Sequence, residues 1–190
     1  MSAFYPGAGT DLAPPVLFPE IKHWIYLDCQ PNSEHGNNPI FARPFFLSRL
    51  NRTMSQCGFM IQSVQGDVRI YRKEATDQVI RYETNSVFPE AWDPVRHKAD
   101  ALVCCGFDFD DRVPPGFFAS YSHIITDSIT CEDTWKPHRL PHHHVSILMY
   151  DKTDWEYWNV EQETTEHFQR NIQRLVRLYG DDLGVRNEKI

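Results

Sequence analysis

The chain has no run approaching the roughly 20 apolar residues needed to span a bilayer, and it does not open on a basic segment followed by an apolar core. The expectation is a soluble, intracellular protein, cytoplasmic by default, without a membrane partner. It has no Cys-x-x-Cys pair, and its five cysteines (Cys29, Cys57, Cys104, Cys105 and Cys131) are odd in number and irregularly spaced. Neither a disulfide framework nor a zinc ribbon fits that pattern, so reduced, mostly buried thiols are expected. Positive charge is scarce: the formal net charge is −7, which argues against non-specific attraction to nucleic acid or to an anionic membrane surface. Also missing are a His-Glu-x-x-His helix, a Gly-x-Ser-x-Gly elbow, internal repeats and low-complexity tracts, which removes the corresponding protease, hydrolase and solenoid readings.

What is present suits one globular domain. A length of 190 residues can bury one good core and is short for two. Hydrophobic residues at 41% and charged residues at 24% lie in the ordinary globular range. No linker divides the chain, so residues 1–180 are read as one domain and 181–190 as a loosely held tail.

Residues 2–5 read as a short strand, followed by the turn Pro6-Gly7-Ala8-Gly9-Thr10-Asp11, a helical connection and a second strand over residues 23–28 that ends in Asp28. Residues 39–57 carry Phe45, Phe46, Leu47, Leu50 and Met54 near helical spacing, with Gly58 as a stop. Residues 68–72 and 79–83 alternate apolar and polar around a polar turn, as a hairpin does. The continuous apolar run 101–105 predicts a central strand covered on both faces, and 123–127 predicts another that ends in an acid. A short helix is possible at 114–121. Residues 145–150 and 155–159 flank a four-residue turn and predict an antiparallel hairpin. A last amphipathic helix follows, capped by Asn159, with Phe168, Ile172, Leu175, Val176 and Tyr179 on one face and Gly180 as its stop. This order describes a three-layer α/β domain with a mostly parallel sheet.

In such a sheet the ligand crevice lies outside the carboxyl ends of the strands, where Gly7–Asp11, Asp28, Thr84, Asn85, Gly106, Phe107, Asp108 and Asp127 would gather. Gly7 and Gly9 permit positive φ or close approach of a ligand to the main chain. An acid in the position of Asp28 commonly accepts hydrogen bonds from ribose hydroxyls. The bland alternative is a glycine turn that only joins two buried elements.

The residues Tyr5-Pro6-Gly7-Ala8-Gly9-Thr10-Asp11, Asp28 and Cys105-Gly106-Phe107-Asp108 resemble the first-strand glycine turn, the ribose-binding acid and the loop after the fourth strand of small Rossmann-like methyltransferases that use S-adenosylmethionine. The resemblance implies that the main chain of Gly7, Ala8, Gly9 and Thr10, with Asp11 beside them, holds the methionine part of the cofactor. It also implies that Asp28 holds the ribose, Thr84 or Asn85 the adenine edge, with Gly106 and Phe107 lining the site, and that Asp108 is the base or substrate ligand. The terminal hairpin would match the antiparallel strands with which that fold closes. The chain departs from the pattern by a proline before the first glycine, by Pro14 and Pro15 interrupting the following helix, and by the absence of Asn-Pro-Pro-Tyr. The competing class is therefore a non-catalytic member of the fold acting as a binding or structural module. A third reading is a nucleotide-dependent enzyme of another reaction type.

Other chemistry-bearing residues have plainer explanations. Asp108, Asp110 and Asp111 also fit a solvated loop or a helix-capping cluster. His138, His142, His143 and His144 lie near Cys131, Glu132 and Asp133, yet adjacent histidines of an extended run point alternate ways and cannot all reach one ion, so no metal is expected. Cys104 and Cys105 fit small core residues better than nucleophiles. A protein partner could use an exposed Trp155 or the histidine-rich loop.

Overall fold

A computed structural model describes residues 1–28, 43–84, 92–93, 95–105, 113, 116–127, 139–148 and 185–188, with backbone alone at 43–46 and 185–188. In chain order the elements are β1 (Ser2–Pro6), α1 (Ala13–Leu17), β2 (His23–Asp28), α2 (Arg43–Gln56), β3 (Met60–Gln65), β4 (Val68–Lys73), β5 (Gln78–Thr84), β6 (Ala101–Cys104), a 3-10 turn (Phe118–Ser120), β7 (His123–Asp127), β8 (His144–Leu148) and β9 (Val185–Glu188). They form a nine-stranded sheet ordered β3-β4-β5-β2-β1-β6-β7-β8-β9. The run from β5 to β8 is parallel throughout, while β4 and β3 on one side and β9 on the other are attached antiparallel. An α/β chain with a mostly parallel sheet was expected from the apolar runs, and that is what forms.

Both faces of the central strands are covered, which is why their sequences are apolar at consecutive positions rather than at alternate ones. From one face Ala3, Tyr5, Trp24, Tyr26, Ile80, Tyr82 and Val103 pack with Ala13 and Leu17 of α1 and with Leu50 and Met54 of α2. From the other, Phe4, Leu27, Leu102, Ile124 and Ile147 pack with Trp92, Val113, Phe118 and Tyr121. Each such large side chain taken out of water contributes about 1.5–3 kcal/mol before ordering costs are subtracted.

Pro14 and Pro15 do not break α1. They occupy its first turn, where the missing N–H would have no intrahelical partner and the fixed φ already suits a helix. α2 is closed as expected at Gly58, whose φ of 81° lets the Phe59 N–H reach back to the Met54 carbonyl at 2.8 Å. The hairpin read at 68–83 is β4 and β5, extended outward by β3.

The far end of the sheet corrects one expectation. β8 lies parallel to β7 along one edge and antiparallel to β9 along the other, so both of its edges are occupied. Its antiparallel partner is Val185–Glu188, within the segment expected to be a loose tail, whereas the expected hairpin partner falls on residues 155–159. The latter, and the amphipathic helix read at 159–180, lie outside the described residues.

On the β5 surface facing away from α2, Glu83 is buried among cations. Its carboxylate meets Arg81 Nε at 3.0 Å, His97 Nε2 at 3.3 Å and Arg96 Nε at 3.4 Å. Burial alone would push the Glu83 carboxyl up, but the His97 hydrogen bond and the charges of His97, Arg81 and Arg96 outweigh it and hold the group below its ordinary range. His97 is itself stacked on Phe4, with 4.7 Å between ring centroids, so this cluster fastens residues 95–97 to the strands beneath.

Candidate functional site at the carboxyl edge

The register brings the carboxyl ends of the parallel strands into line. Pro6 pairs with Leu27, Asp28 with Thr84, Cys104 with Thr126 and Asp127 with Leu148. The turn after β1 therefore stands beside Asp28. Gly7 and Gly9 have φ of 65° and 56°, the left-handed region that other residues enter only at a cost, which explains glycine at both positions. The Asp28 carboxylate accepts the Gly9 N–H, and the Ala8 N–H donates to the Leu27 carbonyl at 3.3 Å, so turn and acid form one unit.

Three tyrosines on adjacent strands support that unit from below. Tyr82 donates its hydroxyl to the Gly9 carbonyl at 2.6 Å, Tyr26 donates to the Asp11 carbonyl at 2.8 Å, and Tyr5 donates to the Asp11 carboxylate at 2.8 Å. The other Asp11 oxygen accepts the Ala13 N–H at 2.9 Å at the start of α1. Burial first, and then the Asp11 charge, push the Tyr26 hydroxyl well above its ordinary pKa, so it stays a donor. From α2, Arg49 donates to the Thr10 hydroxyl at 3.2 Å.

These contacts sort the residues expected to hold a cofactor. Ala8, Thr10 and Asp11 are buried and bind the turn to the core, whereas Gly7, Gly9 and Asp28 remain partly open along the edge. Thr84 is buried, and both its N–H and its hydroxyl donate to the Asp67 carbonyl, at 2.9 and 3.0 Å, which ties the β3–β4 turn to β5. Asn85, Gly106, Phe107 and Asp108 lie outside the described residues. Asp127 reaches the same edge and is fully buried.

Gly9→Ala is expected to lower folding stability by about 1–2 kcal/mol, the cost of placing a Cβ in the left-handed region. Urea unfolding would check it, and an unchanged midpoint would mean that the turn relaxes to negative φ without loss.

The histidine-rich segment is a packed strap where it is described. His143 is fully buried, accepts the Leu140 N–H on Nδ1 at 3.0 Å and donates from Nε2 to the Phe118 carbonyl at 2.8 Å, which fixes the neutral ring. Among the described residues no three His, Cys, Asp or Glu side chains are grouped to hold a metal ion. Cys104 and Cys105 are buried as expected, and burial pushes the Cys57 thiol up to about 12, so it is not a thiolate at neutral pH. Among the described residues no helix is long and apolar enough to cross a membrane.

Sequence reasoning missed Arg49, which reaches the turn through Thr10, and Arg69, which is buried on β4 opposite Tyr82. Arg69 belongs to an alternating strand whose polar positions read as solvent-facing, yet it shares the inward face with Tyr71. Nothing in the sequence pattern distinguishes the two faces of β4. No protein-family model, curated protein or solved structure matches the chain, and the chemistry of this edge has to stand on its own residues.

Proposed function

We propose that the carboxyl edge at Gly7, Gly9 and Asp28 binds an adenosine-bearing cofactor, S-adenosylmethionine in the leading reading, on a Rossmann-like three-layer fold, and that the protein is methyltransferase-like with an acceptor still to be found. The observation that carries this reading is the joined turn and acid. Asp28 is fixed by the Gly9 N–H at the carboxyl end of β2, beside a turn whose glycines leave the main chain open. The turn also stands where the parallel strand order reverses, between β1 and β6, the position at which open α/β sheets take ligands. Methyl transfer asks mainly for placement of the two reactants, so a rigid turn is a suitable anchor. Asp108 remains the proposed base or substrate ligand.

A second reading has its own support. Numbered along the chain, the parallel strands run 3-2-1-4-5-6, with the sixth directly beside the fifth and the antiparallel strand outside it. That is the dinucleotide-binding order, whereas the methyltransferase resemblance implies closure by antiparallel strands. Titration calorimetry with S-adenosylmethionine, S-adenosylhomocysteine, NAD and ATP separates these readings: sulfur cofactors alone support the first, NAD alone the second. Binding of none supports a non-catalytic interaction module. Asp28→Ala is expected to weaken the bound cofactor by about 1–3 kcal/mol, with Asp28→Asn losing less because it keeps an acceptor for Gly9. An unchanged dissociation constant in both variants would remove Asp28 from the site.

A further inference from the structure

Arg69 is a buried guanidinium whose own surroundings ask for a ligand. The residue is 9% exposed, and its Nη1 is fully buried without a hydrogen-bond partner. Among the described residues its guanidinium makes no ion pair. A cation withdrawn from water without a counter-charge is among the most expensive arrangements in a folded protein. Neither of its cross-strand partners is an anion. In the sheet it stands directly opposite Tyr82 on β5 and Val64 on β3, and along β4 it shares a face with Tyr71, whose hydroxyl donates to Asn51 of α2 at 2.6 Å.

The same neighbours tie Arg69 to the glycine turn. Tyr82, opposite it, holds the Gly9 carbonyl, and α2, which covers that face, sends Arg49 to Thr10. Arg49 thus reaches the turn directly through Thr10, while Arg69 stands across the sheet from the tyrosine that holds the turn.

We propose that Arg69 and Arg49 form an oxyanion site beside Gly9, which takes the acidic group of the ligand whose ribose Asp28 holds. Guanidinium groups bind carboxylate and phosphate oxygens in a planar fork, and either group fits here. The carboxylate would come from an amino-acid-bearing cofactor and the phosphate from a nucleotide. The inference rests on the reading of this edge as a ligand site, but its chemistry is independent of which cofactor binds.

The test is thermal unfolding of the wild type, Arg69→Met, Arg49→Met and Arg69→Lys, with inorganic pyrophosphate or L-methionine added and sodium chloride at matched ionic strength as control. The wild-type Tm is expected to rise by about 5–10 °C at a hundredfold excess of the preferred anion over its dissociation constant. The rise should vanish in Arg69→Met, fall in Arg49→Met and persist in part in Arg69→Lys. A response to pyrophosphate identifies a phosphate ligand, and a response to methionine identifies a carboxylate. No response to either, or an equal response in Arg69→Met, overturns the proposal. An anion shift without binding of any nucleoside cofactor keeps the oxyanion site and rejects the cofactor reading. Equal cofactor affinity in the wild type and in Arg69→Met does the reverse.

Discussion

Acidification from pH 6.5 to pH 4 is expected to remove about 3 kcal/mol of folding stability, with His123 as the main cause. His123 is 8% exposed and its Nε2 lies 2.8 Å from the Ser146 hydroxyl, with the His144 ring tilted against it at 4.7 Å between centroids. Burial first, and then the His144 charge, bring its pKa down to about 4. In the unfolded chain the same ring titrates near 6.5. The folded state therefore keeps it neutral where the unfolded state takes up a proton, so its contribution is complete above about pH 6.5 and is lost as pH falls toward 4. His143 acts in the same direction: burial lowers its pKa despite the opposing bond to Phe118. Glu83, held low, adds a second loss only below about pH 4.3, where the unfolded carboxyl becomes protonated. Urea unfolding across this range should show stability falling with pH, steepest midway between 6.5 and 4 at about 1.2 kcal/mol per pH unit from this one group, and flatter in His123→Gln. An identical slope in that variant would assign the acid lability elsewhere.

Replacing Asp11 by alanine is expected to cost about 3–5 kcal/mol. The carboxylate is fully buried and accepts both the Tyr5 hydroxyl and the Ala13 N–H, so truncation leaves two buried donors unsatisfied, at about 1–3 kcal/mol each, and opens a small void. It also releases α1 from the turn. Denaturant unfolding measures the loss directly, and Asp11→Asn, which keeps an acceptor for Ala13, should recover part of it. A cost below about 1 kcal/mol would show that water replaces the carboxylate and that the turn is held by other bonds. Because Asp11 faces inward, any loss of ligand binding in these variants should follow the loss of folded protein.

Much of the sheet was legible in the sequence because local patterns decide it. The strand at 123–127 and the one ending at Asp28 were marked by apolar runs closed by an acid, and both have the expected bounds. The hairpin of β4 and β5 was marked by alternation around a polar turn. The partner of β8 was not legible, since Val185-Arg186-Asn187-Glu188 contains a single apolar residue and pairs only because β8 offers a free edge far back in the chain. α1 was misjudged because proline was weighed as a helix breaker without regard to its place in the first turn. In the candidate site, the glycines and Asp28 carried a local signal. The three tyrosine hydroxyls below the turn, the Glu83–His97 cluster and Arg69 depend on register across separate strands, which composition and spacing do not encode.

The position of β1 in the middle of the sheet has a consequence for the order of folding. One of its edges is closed by β2, whose partners are about twenty residues away, as in Ala3 with Trp24, while the other waits for β6, as in Ala3 with Ala101. Loop closure favours the nearer pairing. A half-sheet of β3, β4, β5, β2 and β1 is thus the expected early species, and its open side is the apolar segment Ala3-Phe4-Tyr5 with unpaired backbone groups. Such an edge accepts strands from other chains as readily as its own β6. Yield on refolding should accordingly fall with protein concentration more steeply than the finished, double-covered sheet would suggest.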